Sequence, residues 1–419
     1  MTDAKKVYVI GAGLAGLAAA THLALRGAEV ALFEAAGQAG GRCRSYFDPS
    51  FDGVIDNGNH FILTGNEAAF GYLRRIGADA AMQGSLLPEK DFFDLTTGKY
   101  WTIRPNPGPV PTWIFDAKRR VPGTTPAEYL ALTKLLGARQ SQRICDVLSC
   151  KGALWERLLK PFFLGALNTQ PEEASAILAG TLVRRTFLRG GKAYRTRIAH
   201  PTLAAAFIDP ALAFLNAHGA EVHFNERLRA ITFDGRAATA LEFPDATIPL
   251  SQTDVVILAL PPWVAKTIVP RLVVPEDYRA IVNAHFKIPS PAGASPMLGV
   301  IGGTAEWIFT FPDRISVTVS GADAIVERDR VDLAQTLWAE VCAALNICAP
   351  LPTWQIVKEK RATFAATPAQ NAMRPISETG WRNFILAGDW TDTGLPATIE
   401  GAVQSGETAA VLALKQLSL

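Results

Sequence analysis

Cysteine is scarce in this chain, and its spacing carries no metal signature. Cys43, Cys145, Cys150, Cys342 and Cys348 are the five in 419 residues, and no Cys-x-x-Cys occurs. That excludes a zinc ribbon and a thioredoxin-like pair, and predicts reduced thiols in a reducing compartment. A charge excess of one sign is also missing: 41 Lys and Arg stand against 39 Asp and Glu, a formal net charge of +2. With so small an excess, and no basic block interleaved with aromatics, nucleic acid is excluded as a partner. No stretch reaches the roughly 18 uninterrupted apolar residues that a membrane-spanning helix needs. Internal repeats and low-complexity tracts are absent, and no metal site is expected.

What is abundant is apolar. Hydrophobic residues make up 49% of the chain and charged residues 19%, with a mean hydropathy of +0.14. The length suggests about two or three domains. The hydropathy suits a large core, an apolar substrate channel, a membrane-facing surface, or all three. Lys5-Lys6 followed by the apolar run Val7 to Thr21 imitates a signal peptide. The glycines inside that run, the polar continuation through His22 and Arg26, and the β-like run that follows argue against one. The expected location is the cytoplasm, or the cytoplasmic face of a membrane.

The N-terminus reads as a βαβ unit. Val7 to Ile10 is a buried parallel strand in pattern. Gly11-Ala-Gly13-Leu14-Ala15-Gly16 follows, then an Ala/Leu-rich helix to about Arg26 with Gly27 as its cap. Glu29 to Phe33 is a second strand, ending at Glu34. The first glycine permits the tight turn, the second lets backbone approach a pyrophosphate, and the third allows close helix–strand packing. The helix N-terminus at Leu14 and Ala15 offers free N–H groups to phosphates. An acid at the position of Glu34 accepts hydrogen bonds from ribose hydroxyls.

Two further segments separate a flavin dinucleotide from a nicotinamide one. Gly40-Gly41-Arg42-Cys43-Arg44-Ser45 places backbone and the Arg42 guanidinium near the cofactor's phosphates. Near the other end, Phe384 to Ala387 reads as a strand delivering Gly388-Asp389, and a helix begins at Thr398-Ile399. Asp389 is placed either to accept hydrogen bonds from a ribityl chain or to cap a turn. The helix N-terminus can face the flavin's N1–C2=O edge. Between these ends, Ala220 to Phe224, Leu228 to Phe233, Thr239 to Phe243 and Val255 to Leu260 read as strands.

Together these segments resemble the flavin amine oxidase/phytoene desaturase superfamily, strongly at both ends and weakly in the middle. The resemblance implies an α/β fold: a discontinuous Rossmann-like FAD-binding domain, with an inserted α+β substrate domain. The boundaries drawn are 1–71, 212–269 and 351–419 for FAD, and 72–211 and 270–350 for substrate. It implies that Leu228 lies where backbone meets the adenine, and that Leu260-Pro261-Pro262 closes the strand beneath the cofactor. Amine oxidases of this type keep an aromatic pair facing the flavin. Ile385 and Thr398 occupy those positions by motif, and Asn283 falls near the place of the usual lysine. A cation-accepting aromatic cage is therefore missing, which argues against an amine substrate.

Asp56-Asn57-Gly58-Asn59-His60 resembles the desaturase-like branch. Gly388-Asp389-Trp390-Thr391-Asp392-Thr393-Gly394-Leu395-Pro396-Ala397-Thr398-Ile399-Glu400 closely resembles the squalene-associated, FAD-dependent branch, the hydroxysqualene dehydroxylases. That resemblance implies reduction of hydroxysqualene to squalene, feeding hopanoid synthesis. Loss of an allylic hydroxyl calls for a general acid and a dry pocket. His60 is either that acid or an orienter of the flavin edge, or has no site role. Glu400 is either a second acid or a support for local backbone. Asn59 and Asn283 are candidate hydroxyl partners.

Two other functions share these features: an oxidative carotenoid or polyene desaturase, and a non-catalytic isoprenoid-binding flavoprotein. A C30 isoprenoid is met at a lipid surface. Trp155, Leu158, Leu159, Phe162, Phe163 and Leu164 lie beside Lys151, Arg157 and Lys160. Trp113 and Phe115 precede Lys118-Arg119-Arg120, and no acid occurs from Ala174 to Ile208. These stretches suit docking on anionic lipid, or else form an ordinary core with a basic face. No second Gly-x-Gly-x-x-Gly occurs, so electrons are expected from NAD(P)H directly or from a reductase partner.

Overall fold

The computed structural model describes residues 5–418. Strand β1 is Lys6–Ile10, helix α1 is Leu14–Leu25 and strand β2 is Glu29–Phe33, so the opening βαβ unit forms as the pattern predicts. Helix α1 ends where Gly27 takes a positive φ of 76° and donates its N–H to Ala24 O at 3.0 Å. Five strands pair in parallel, in the order Glu221–His223, β2, β1, Val255–Leu258, Phe384–Leu386. The chain leaves β1 between neighbours reached in opposite directions. That is the switch point where open α/β sheets leave a crevice beyond the strands' C-terminal ends.

Small residues let the last helix, Ile399–Leu417, lie against α1. A methyl on Gly406 would stand 2.1 Å from Ala15 O. Leu17 and Leu23 are fully buried in this layer. Truncating either to alanine costs about 2–5 kcal/mol.

A seven-stranded sheet forms the second layer. Its order is Trp354–Phe364, Tyr278–Phe286, Ile315–Val319, Trp307–Thr310, Met297–Ile301, Lys90–Asp94, Lys99–Ile103. One face packs Val282, Ala284, Val317 and Ile308 against Leu333, Leu337 and Trp338 of helix Arg330–Leu345. Asp329 caps that helix by accepting from the N–H of Val331 at 2.7 Å. Because side chains alternate along a strand, the opposite face carries a different set. It is polar at one end, with Asn283, His285, Ser316 and Thr318. At the other end it is aromatic, with Phe92, Trp101, Trp307 and Phe309.

Several expected assignments need correction. Strand Trp354–Phe364 pairs with Tyr278–Phe286, so the third nucleotide segment, drawn from 351, enters its own sheet only at Phe384. Leu203, Phe207, Ile208 and Ala211 pack with α1, so the first substrate segment, drawn to 211, gives up its end to the nucleotide layer. Helix Glu67–Arg75 runs across the drawn boundary at 71. Strands Ala230–Phe233 and Ala238–Glu242 join Thr247–Pro249 in a separate antiparallel meander. For the segments at 203–211 and 354–364 the partner lies far away in sequence, and a local pattern reports burial without saying against what.

The thiols are not all free: Cys145 and Cys150 form a disulfide, their Cα atoms 5.5 Å apart across the short helix Ile144–Val147. Trp155, Leu158, Leu159, Phe163 and Leu164 are buried, so that stretch is core and not a lipid-facing surface. Among the described residues, no helix is long and apolar enough to cross a membrane.

Candidate functional site

The glycine loop sits at the crevice. Gly11 has a φ of 104° and donates its N–H to Phe33 O at 2.7 Å. A methyl there would stand 2.7 Å from Ala259 O, and one on Gly16 would stand 1.8 Å from Gly11 O. Gly13 differs: a methyl on it meets nothing within 4 Å, so its outer side faces open space. Gly13 also caps α1 without a side-chain hydrogen bond, leaving the helix N-terminus at Leu14 and Ala15 uncapped. Gly41, with a φ of 53°, closes over Gly13, and Gly40 donates to Ala12 O at 2.8 Å.

Glu34 does more than the sequence suggests. Its two carboxylate oxygens accept from the N–H groups of Ala12 and Ala36, at 2.8 and 2.9 Å, so it fastens the glycine loop to the end of β2. Each oxygen keeps a second lone pair for a ribose hydroxyl. Leu228 follows closely: Glu226 donates its N–H to Glu34 O at 2.9 Å, which brings the Leu228 segment to the same end of the sheet.

Arg42 and Asp389 meet at 2.7 Å, joining the first and last cofactor segments. Arg42 also donates to Ala362 O. Asp389 is buried, and the adjoining Gly388 has a φ of 145° and donates to Ser405 Oγ at 2.8 Å. Arg374, which no sequence motif singles out, is buried beside this loop. It donates to the carbonyls of Asp389 and Thr391 and to Asn371 Oδ1. Burial holds its guanidinium down to about 10. Its partners are mostly backbone oxygens, which leave no mark in a residue pattern. Burial pushes the neighbouring Cys43 thiol up to about 12, so it is no nucleophile.

Thr398 caps the last helix by accepting from Gly401 N at 3.1 Å, which leaves the N–H groups of Ile399 and Glu400 at the helix mouth. Glu400 is engaged by local backbone. Its buried carboxylate accepts from Ala68 N at 3.2 Å and Ala69 N at 2.9 Å, capping helix Glu67–Arg75, with Arg185 at 3.4 Å. Its pKa is raised by burial and opposed by those backbone bonds.

The Asp56–His60 motif is the loop after strand Gly53–Asp56, laid against the polar end of the seven-stranded sheet. Asn57 donates to Glu359 Oε2 at 3.3 Å. Asn59 donates from Nδ2 to Val317 O at 3.3 Å and to Thr318 Oγ1 at 3.2 Å, and from its backbone to Asn283 Oδ1 at 3.3 Å. Thr318 Oγ1 donates to Asn283 Oδ1 at 2.7 Å. The Asn59 Oδ1 atom is buried with no partner. His285 lies between Asp56 O at 3.0 Å and Ser316 Oγ at 2.9 Å, and burial pulls it down to about 3. A neutral ring therefore donates from Nε2 and accepts at Nδ1.

His60 is also neutral: burial first, and then the Arg42 charge, pull it down to about 4. At pH 7 its protonated fraction is on the order of 10⁻³. Both influences favour the neutral ring and weigh against the general-acid reading. Ile385 is buried in the α1 layer, so it contributes no aromatic wall.

The donor set fits FAD. An uncapped helix N-terminus, a glycine cradle and Arg42 suit a pyrophosphate. The Glu34 end of β2 suits a ribose, and Asp389 with the last helix suits the ribityl chain and ring. The model of the family described as flavin containing amine oxidoreductase matches residues 14–414. The chain is 52% identical over 411 residues to the hydroxysqualene dehydroxylase of Rhodopseudomonas palustris, covering 98% of each.

The chain belongs to the flavin containing amine oxidoreductase family, in its hydroxysqualene dehydroxylase branch.

A second relative in that branch, from Sinorhizobium fredii, is 45% identical over 98% of this chain and 99% of its own. The fold extends well beyond the branch: cyclohexylamine oxidase from Brevibacterium oxydans superposes with a TM-score of 0.74 at 16% identity, covering 99% of each chain. Members of this family are FAD-dependent oxidoreductases, and so is this protein.

Proposed function

We propose that this enzyme reduces hydroxysqualene to squalene, taking an apolar C30 alcohol into the space between its two sheets. The carrying observation is the split wall: polar groups at the end where the Asn59 loop docks, and buried aromatic rings at the other. Full-length similarity to two hydroxysqualene dehydroxylases supports the choice of substrate. The overall change adds a hydride to the allylic carbon and releases the hydroxyl as water once a proton is supplied. FAD, when bound and reduced, supplies the hydride.

The chain's residues do the rest. The loop amides and Arg42 hold the dinucleotide. Asp389 and the last helix orient its ring. Asn59, Asn283 and Thr318 fix the loop that carries His60, whose neutral imidazole serves as a hydrogen-bonding orienter. The aromatic end excludes water from an electron-poor allylic carbon. The test is product analysis after anaerobic incubation with hydroxysqualene and a reductant. Squalene supports the reading. Unchanged alcohol alongside dehydrogenated polyenes would replace it with a desaturase.

The discontinuous two-domain layout belongs to the same reading, with the boundaries corrected above. So does a peripheral site of action on the cytoplasmic face of a membrane. Leu86 and Phe115 are 73% and 66% exposed, and Leu87 and Val110 are exposed as well. The segments carrying Leu86, Leu87 and Val110 are tied to residues 189–197: Arg197 donates to Ser85 O, and Gly191 N to Asn106 O. Arg189, Lys192, Arg195 and Arg197 therefore stand beside this apolar patch, as docking on anionic lipid requires. Sedimentation with phosphatidylglycerol vesicles at low salt tests this; binding equally to neutral phosphatidylcholine vesicles contradicts the charge requirement. Reducing equivalents come from NAD(P)H or a reductase partner, which rapid mixing of oxidised enzyme with NADPH distinguishes.

A further inference from the structure

Lys90 is the least expected residue on the aromatic end of the wall. Strand Lys90–Asp94 turns Lys90 and Phe92 to the same face. The lysine is only 8% exposed, yet its Nζ has no hydrogen-bond partner. Its surroundings are rings: Nζ lies 5.1 Å from the centroid of Tyr194 and 6.0 Å from that of Phe61. From Phe61 the rings continue to Trp307 at 6.3 Å, and from Trp307 to Phe92 at 6.0 Å. Phe61 directly follows His60, so this ring cluster adjoins the Asp56–His60 loop. Trp101 Nε1 and Trp307 Nε1, on the same face, are also buried without partners.

An unpaired buried ammonium is costly, and a protein that lacks a use for it gains by replacing it with an apolar residue. We propose that Lys90 Nζ binds the hydroxyl oxygen of the substrate and donates the proton with which it departs as water. This rests on the proposed substrate reading. The C–O electron pair leaves with oxygen, oxygen takes the Nζ proton, and the carbon takes its hydride from the reduced flavin. Lys90 then regains a proton from water.

The charged neighbours set its poise. Arg197, on strand Thr196–Ala199, opposes the ammonium, and Asp91 on its own strand favours it. Burial is the largest influence, and the amine is held down to about 7. The Tyr194 phenol is pushed far up by burial and stays neutral. His60 is neutral as well. Acid and base forms of Lys90 are therefore both accessible near neutral pH, which suits proton donation. Phe61, Tyr194 and Trp307 can face the cationic carbon.

The test compares wild-type holoenzyme with Lys90→Met and Lys90→Arg. Flavin absorbance checks the fold. Lys90→Met is expected to keep its flavin and its affinity for squalene, to lose its preference for hydroxysqualene over squalene, and to lose about 10²–10³-fold in turnover. Wild-type activity is expected to fall as pH rises through about 7. That limb is expected to vanish in Lys90→Met and in Lys90→Arg alike, since a guanidinium keeps its proton across the accessible range and does not replace the amine as donor.

A Lys90→Met enzyme with unchanged turnover, preference and pH profile overturns the role of Lys90 while leaving the substrate reading intact. A wild-type enzyme that leaves hydroxysqualene unchanged overturns both. If Lys90→Met fails to fold, ¹³Cε-lysine NMR of the wild type decides. One resonance should titrate near 7 and shift with hydroxysqualene but not with squalene. If no lysine behaves so, the proposal fails.

Discussion

The two ends of this face of the seven-stranded sheet treat polar atoms in opposite ways. At the polar end Asn59, Asn283, Thr318, His285 and Ser316 answer one another and the backbone, leaving one buried oxygen, Asn59 Oδ1, without a partner. At the aromatic end Lys90 Nζ, Trp101 Nε1 and Trp307 Nε1 are buried and bonded to nothing. A satisfied network rigidifies what it holds, whereas a buried donor without a partner is costly. The first end thus behaves as a mount for the loop beside the cofactor. The second behaves as a surface whose donors await a ligand.

Stability measurements can break that contrast, and acid should act most strongly at the polar end. His285 is held down to about 3, against an ordinary value of 6.5. As pH falls through 6.5 the unfolded chain takes up a proton that the native ring refuses until about 3. The stabilisation is therefore complete above 6.5 and drains away toward 3, by on the order of 5 kcal/mol. Urea unfolding at pH 7.5 and 4.5 checks the slope, and His285→Gln should flatten it.

Asn283→Leu comes next. It strands Asn59 and Thr318, and should cost about 3 kcal/mol together with much of the bound flavin. Thermal unfolding and flavin absorbance read both. At the aromatic end the sign reverses: Lys90→Met removes an unpaired buried cation and should raise stability near pH 7 by about 2 kcal/mol. A loss of stability there would show that Lys90 is mounted like the polar end. The smallest effect belongs to His60→Gln, which swaps one neutral hydrogen-bonding group for another. Turnover should stay within about tenfold, with no pH limb near 6.5 removed.

The parts legible in the sequence are those whose signals are local. The Gly11–Gly16 loop, the Glu34 terminus, Gly388-Asp389 and the Thr398 cap each state a backbone requirement within a few residues. The structure places all of them around one crevice, and the α/β fold follows. Long-range pairings were not legible. Strand Trp354–Phe364 reaches the cofactor loops through Glu359 and Ala362, yet it hydrogen-bonds into the other sheet. Trp155 to Leu164 reads equally well as a membrane face or as core, since apolar periodicity does not say what covers it. The sequence pattern leaves Glu400 open between an acid and a backbone support, because the helix it caps begins more than three hundred residues earlier. Arg374 and Lys90 leave no mark in the sequence pattern for related reasons. One serves backbone carbonyls, and the other is defined by the lack of any partner.

A single-turnover experiment bears most directly on the central claim, that one flavin-bearing crevice reduces an isoprenoid alcohol. Purified holoenzyme is photoreduced without oxygen, mixed rapidly with hydroxysqualene in detergent, and followed by flavin absorbance and product extraction. The account predicts that the oxidised flavin spectrum returns in step with one equivalent of squalene. A flavin that stays reduced while the alcohol is recovered intact would contradict it.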